Sequence, residues 1–312
     1  MFPPHLLGGL FLGWAIGAND AANVFGTAVA SRVITFRTAA IVCGLAVILG
    51  AFLQGENGIT TYKYLISHDL TTNVVVVTAS ALTIFYMTCK KLSVSSSQAM
   101  VGAMVGIGLV QHSLDWGILG KIVVCWISTP LCAMVLVVPI YYLIRFIFNH
   151  LRIGLFTRDN IIWFGLLLFG VYGAYALGAN NVANATGIFS GQFSQAGFTD
   201  KDLALYGGIA IALGAITFGK RVMLAVGNDV MKLNGLTALV SVAASSMTVH
   251  FFAYVGVPVS TNQALVGAIV GIGLLNNPKG IHFYYIRNLA TGWLLTPCIA
   301  LILTAAGYAF FV

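Results

Sequence analysis

Apolar residues fill this chain in long runs, and polar residues gather in short breaks between them. A run of about twenty apolar residues matches a helix that crosses a bilayer. Ten runs stand out: 5–30, 38–54, 71–89, 95–110 and 117–144 in the first half, then 160–190, 203–219, 236–255, 260–275 and 284–312 in the second. A membrane barrel would show alternating segments of about ten residues instead. Two runs in each half are unusual. One is long and carries a small polar stretch, "GANDAANVFG" at 17–26 and "GANNVANATG" at 178–187. The other is short and opens on hydroxyl and amide residues, in "SVSSSQAMVGAMVGIGLV" at 93–110 and "PVSTNQALVGAIVGIGLL" at 258–275.

These pairs reveal an internal repeat. The longer pair is identical at 12 of 18 positions without a gap, and the shorter at 6 of 10. Trp126, Thr129 and Pro130 are echoed by Trp293, Thr296 and Pro297. The chain therefore divides into a membrane repeat at 1–150, an inter-repeat loop at 151–157 and a second membrane repeat at 158–312. Positively charged loops favour the inner side of a membrane. If all ten runs cross and the N-terminus lies outside, twelve basic residues fall inside or at the inner boundary: Arg32, Arg37, Lys90, Lys91, Arg145, Arg152, Arg158, Lys220, Arg221, Lys232, Lys279 and Arg287. Only Lys63, Lys121 and Lys201 fall outside. Five crossings per copy is an odd number, so the copies are inverted. The expected fold is an all-α membrane protein of two inverted-topology repeats, about five segments each, with broken or half-helices meeting near the midplane. Many secondary transporters are built this way.

Composition agrees with the pattern. The 312 residues are 59% hydrophobic and 7% charged, with a mean hydropathy of +0.95, against about a quarter charged in soluble domains. The 35 glycines suit close helix packing in lipid,. The five cysteines show no metal-like spacing and read as packing residues,. The net charge of +7 sits in short loops, so it reports topology and not a nucleic-acid surface,. The first apolar run lacks a positive leader and cleavage site, so it reads as a retained membrane segment.

Of the eight acids, seven (Glu56, Asp69, Asp115, Asp159, Asp200, Asp202, Asp229) fall in loops or at segment ends. Asp20 alone lies within a span, and an intramembrane carboxylate marks a functional site by default. Gly17 lets the backbone leave helical geometry there. Asn19, Asp20 and Asn23 then supply oxygens and amides, as Asn180, Asn181 and Asn184 do in the second copy. A break exposes N–H groups toward anions and carbonyls toward cations. Ser95, Ser96, Ser97 and Gln98 match Ser260, Thr261, Asn262 and Gln263. Each set has the composition of a helix N-cap and precedes an apolar half-helix. Two such ends brought together by an inverted repeat form an anion cradle of neutral donors.

At these motifs the chain resembles the inorganic phosphate transporter family (PiT type), including its sulfate permease-like relatives. The four linked motifs occur in order and the repeat covers nearly the whole chain. The resemblance implies a symporter that moves a tetrahedral oxyanion through a midplane site. Ser95, Ser96, Ser97, Gln98, Ser260, Thr261, Asn262 and Gln263 would then hold the anion. Asp20, Asn23, Asn181 and Asn184 would hold a coupling cation, with Asp20, Asn23 and Asn184 also touching the anion. The coupling ion would be Na⁺ or H⁺, and no other cofactor is implied. Asn181 stands where the family usually has Asp, and the Gln98 and Gln263 positions are often His or another polar residue.

Phosphate carries protons that a carboxylate accepts, whereas sulfate carries none near neutral pH and takes donors only. Asp20 puts phosphate ahead of sulfate. A channel is the competing reading, disfavoured by the inverted repeat. An enzyme is disfavoured because no His and acid clusters occur in the spans; His250, inside a span, reads as a polar core residue. The expected setting is the cell (inner or plasma) membrane, with both termini outside. The partners are phosphate or sulfate and the lipid bilayer, without nucleic acid. Exposed apolar faces leave room for a homodimer.

Overall fold

The computed structural model describes residues 4–30, 34–66, 69–90, 94–150, 154–194, 197–225, 231 and 233–311. Arg32, Lys91, Arg152, Asp229, Lys232 and residues 151–153 of the inter-repeat loop lie outside them. Among the described residues every regular element is a helix. The first repeat holds α1 (Leu6–Asp20), α2 (Ala22–Ala30), α3 (Phe36–Gln54), α4 (Glu56–Lys63), α5 (Leu70–Cys89), α6 (Ser96–Val110) and α7 (Trp116–His150). The second holds α8 (Leu155–Thr186), α9 (Asp200–Ala225), α10 (Gly235–Val255), α11 (Thr261–Asn276) and α12 (Phe283–Phe311).

Among the described residues seven helices (α3, α5, α7, α8, α9, α10 and α12) are long and apolar enough to cross a membrane. The chain is a multi-pass integral membrane protein. Side chains such as Leu45, Val124, Phe164 and Leu294 are exposed on the outer faces, where lipid replaces water as the solvent,. Sequence-local signals set the helix starts. Asp69 accepts the backbone N–H of Thr72, Asp115 accepts those of Gly117 and Ile118, and Asn234 and Thr237 form a capping box on α10,. α10 ends at Gly256, whose φ of 80° suits a residue without a Cβ,. α6 and α11 have 15 and 16 residues, about 22–24 Å, short of a hydrocarbon core of about 30 Å. They are half-helices.

The repeats are interwoven. A Cβ on Gly17 (α1) would strike the carbonyl of Ile211 in α9, and one on Gly178 (α8) would strike that of Val47 in α3. In the same exchange Gly214 abuts Trp14, and Gly50 abuts Tyr175. Each half-helix likewise packs on the last helix of the opposite repeat. Gly102 and Gly106 of α6 meet Pro297 and Leu301 of α12, while Gly267 and Gly271 of α11 meet Pro130 and Met134 of α7. The paired residues ascend together, so α6 runs parallel to α12 and α11 to α7. Five alternating segments per repeat produce this relation, the one expected of inverted copies.

Three local expectations need correction. The second signature does not break its helix: α8 runs unbroken through Asn180, Asn181 and Asn184 to Thr186. The first is interrupted only at Ala21, whose backbone is itself right-handed (φ −59°, ψ −25°). Gly17 is therefore not a point of unwinding; it lets two backbones touch. The asparagines find lateral partners, so the helices need not open to satisfy them. Finally, α4 is an extra helix between the second and third runs, and its polar sequence "ENGITTYK" resembles a loop.

Candidate functional site

The cluster is assembled by α1, α2, α4, α6, α8 and α11. Asp20 closes α1 and is 2% exposed. Its Oδ1 accepts Asn19 Nδ2 at 2.9 Å. Its Oδ2 accepts the Ser96 hydroxyl at 2.7 Å and Asn181 Nδ2 at 2.9 Å. One carboxylate thus ties the first signature to its own half-helix and to the second signature. Hydrogen bonds to a charged group are worth about 1.5–3 kcal/mol each, so three of them compensate much of the burial cost.

The second signature extends the network. Asn181 Oδ1 accepts Asn180 Nδ2 at 2.7 Å and Asn184 Nδ2 at 3.1 Å. Asn180 also grips the backbone of Val259, donating to its carbonyl at 2.7 Å and accepting its N–H at 3.0 Å. Asn184 Nδ2 donates to Ser97 Oγ at 3.1 Å, and the Ser97 hydroxyl donates to Val259 O at 3.0 Å. Val259 directly precedes the Ser260 cap of α11, so the N-terminal ends of the half-helices meet here. On the far flank Asn23 Nδ2 donates to Thr261 Oγ1 at 3.2 Å.

The structure therefore brings together Asp20, Asn23, Ser96, Ser97, Asn181, Asn184 and Thr261. Ser95 and Ser260 lie beside them as N-caps, their hydroxyls accepting the N–H of Gln98 and of Gln263 at 3.3 Å. Asn262 is half-buried on the first turn of α11. Gln98 and Gln263 are buried, and among the described residues their side-chain oxygens have no hydrogen-bond partner. Each lies one helical turn before Gly102 or Gly267, on the face toward α12 or α7,. His250 stands apart, held between the Tyr172 hydroxyl at 2.6 Å and Gln54 Oε1 at 2.7 Å.

Sequence reasoning missed Tyr62. It is fully buried on α4, and its hydroxyl donates to Asn184 Oδ1 at 2.5 Å. Thr61, beside it, donates to the Gly256 carbonyl, fastening α4 to the end of α10. No repeat or motif marks Tyr62, because α4 belongs to neither signature. Only the fold brings it to the site.

Electrostatically, the cluster has, among the described residues, one carboxylate, no basic side chain and two converging helix N-termini. Those N-termini attract an anion, while the carboxylate and amide oxygens attract a cation.

An inverted repeat with half-helices meeting at a buried polar cluster defines a membrane transporter. The chain belongs to the phosphate transporter family, whose profile matches residues 16–163 and again 155–304. It is an anion transporter, not an enzyme. A protein of Methanocaldococcus jannaschii named "Putative phosphate permease" is 29% identical over 299 residues, 96% of this chain and 94% of that one. "Sulfate permease CysP" of Bacillus subtilis is 30% identical over 305 residues, 95% of this chain and 84% of that one. The solved structure titled "The sodium-dependent phosphate transporter" superimposes with a TM-score of 0.83 at 23% identity, covering 98% of this chain and 97% of that one. The likeness establishes the shared fold.

Proposed function

We propose that the protein is a symporter of a tetrahedral inorganic oxyanion, inorganic phosphate before sulfate, driven by Na⁺ or H⁺. The observation that carries this reading is Asp20, bonded at once to Ser96 of one half-helix and Asn181 of the opposite repeat. The anion binds where the half-helices converge. On binding, Ser96 and Ser97 turn their single hydroxyl hydrogens to it from Asp20 and Val259, and Thr261 and Asn262 add hydroxyl and amide donors, with Asn23 and Asn184 at its flanks,. Ser95 and Ser260 shape the cradle as caps, and Gln98 and Gln263 line its rear. Asp20 binds the cation and accepts a proton-borne hydrogen bond from phosphate, which sulfate has no proton to make. Relatives named for phosphate and for sulfate both support the oxyanion class.

Alternating access follows from rocking about the fixed site, as inverted repeats allow. The setting is the cell membrane, with both termini outside and a homodimer as the assembly. The test is uptake of labelled phosphate and sulfate into proteoliposomes, with Na⁺ and pH gradients imposed separately. Uphill accumulation tied to one gradient, with phosphate preferred, is expected. Uptake that only follows the anion's own gradient would identify a channel.

A further inference from the structure

The two signatures are identical at 6 of 10 positions and unequal in hydrogen bonding. An amide oxygen has two lone pairs. In the second signature both lone pairs of Asn181 Oδ1 receive N–H groups, from Asn180 and Asn184. Asn184 Oδ1 receives the Tyr62 hydroxyl. A single neutral lone pair is left between these two oxygens. The first signature is open. Asp20 Oδ1 receives only Asn19 Nδ2, and among the described residues no donor reaches Asn23 Oδ1. Asp20 and Asn23 are three residues apart across Ala21, whose backbone stays right-handed, so helical spacing sets them on one face,. This half offers three lone pairs and the full carboxylate charge.

Hard cations gather oxygen ligands and favour charged ones. A cation at the second signature would have to displace amide donors and leave buried N–H groups unpaired, which burial penalises. We infer that this transporter takes one coupling cation per cycle, held by Asp20 and Asn23. The second signature is sealed by Asn180, Asn184 and Tyr62. It holds no cation and serves to position Asp20 through Asn181. The inference rests on the symport reading above and keeps two of the four residues that the family resemblance assigns to the cation.

The experiment is initial uptake of labelled phosphate, and in parallel sulfate, by the full chain in proteoliposomes. Na⁺ is varied at fixed pH, and pH at fixed Na⁺. The dependence on the driving cation should be hyperbolic, with a Hill coefficient near one. Asn23→Ala should raise the half-saturating cation concentration at least tenfold. Asn184→Ala should chiefly raise the KM for the anion. Asn181→Asp puts a second carboxylate against Asp20, where an amide now donates at 2.9 Å. It should add a second cation requirement and move the Hill coefficient toward two. A wild-type Hill coefficient of two, or equal losses of cation affinity in Asn23→Ala and Asn184→Ala, overturns the inference and leaves symport standing. Cation-independent uptake, or no uptake by folded protein, overturns symport and the inference together. Should Asn181→Asp not fold, the wild-type curve and Asn23→Ala decide.

Discussion

Asp20 is the buried charge on which three donors converge, and its substitution separates chemistry from folding. Asp20→Asn keeps the shape and removes the charge to which the proposed symport assigns the cation. Loss of about 3 kcal/mol, at the upper end for a charged hydrogen bond, corresponds to about a 100-fold fall in coupled uptake. The melting temperature in detergent should change little. Near-normal uptake would remove Asp20 from the mechanism. Tyr62 acts through Asn184. In Tyr62→Phe the Asn184 oxygen loses its donor, and the amide no longer has to face Ser97 and Asn181. Anion KM should rise about tenfold, equivalent to about 1.4 kcal/mol, at nearly unchanged maximal rate. A proportional fall in both parameters with reduced folded yield would mark Tyr62 as merely structural.

The helices are held by glycines that let backbone meet backbone across the repeats. At Gly17 and Gly178 the facing group is a carbonyl of α9 or α3, which cannot rotate away as a side chain can. Gly178→Ala should therefore destabilise by at least about 1–3 kcal/mol, the usual range for overpacking. Gly120 in α7 has open space where a Cβ would sit. Gly120→Ala should be neutral or stabilising by up to about 1 kcal/mol, through helix propensity alone. Thermal unfolding of the two variants in one detergent measures the contrast. Destabilisation of similar size in both would contradict the packing role. The half-helices follow the same logic. Their capping hydroxyls are encoded locally, but their seating against Pro130 and Pro297 comes from the opposite repeat.

For the entire molecule, the charge asymmetry and the odd number of segments per repeat make an orientation prediction. In a cysteine-free background, Lys201→Cys should react with an impermeant thiol reagent added outside intact cells. Lys279→Cys should react only after permeabilisation. The reverse pattern would invert the orientation and place both termini inside. Interweaving also constrains the motion. α6 is seated on α12 and α11 on α7, so a sequence repeat cannot rock without carrying helices of the other with it.

The ten apolar runs, the half-helices with their caps and the repeat were legible in the linear chain, because each depends on local composition and on spacing. Asp20 was legible too, since a lone acid inside an apolar run is conspicuous. The hydrogen-bond partners were not. Asn181 reaching Asp20 and Asn180 reaching Val259 join residues 161 and 79 positions apart. Motif reading took the signature glycines as breaks, whereas they are contacts, because a glycine looks the same in either role until its neighbour is known. Tyr62 left no trace in pattern or repeat. The order and spacing of residues along the chain by themselves decided that this is an inverted-repeat membrane protein with a duplicated polar centre. Tertiary packing alone decided which donors reach each centre. The motifs already differ at Asp20 and Asn181, but only the fold brings Tyr62 of α4 to Asn184, while among the described residues no donor reaches Asn23 Oδ1.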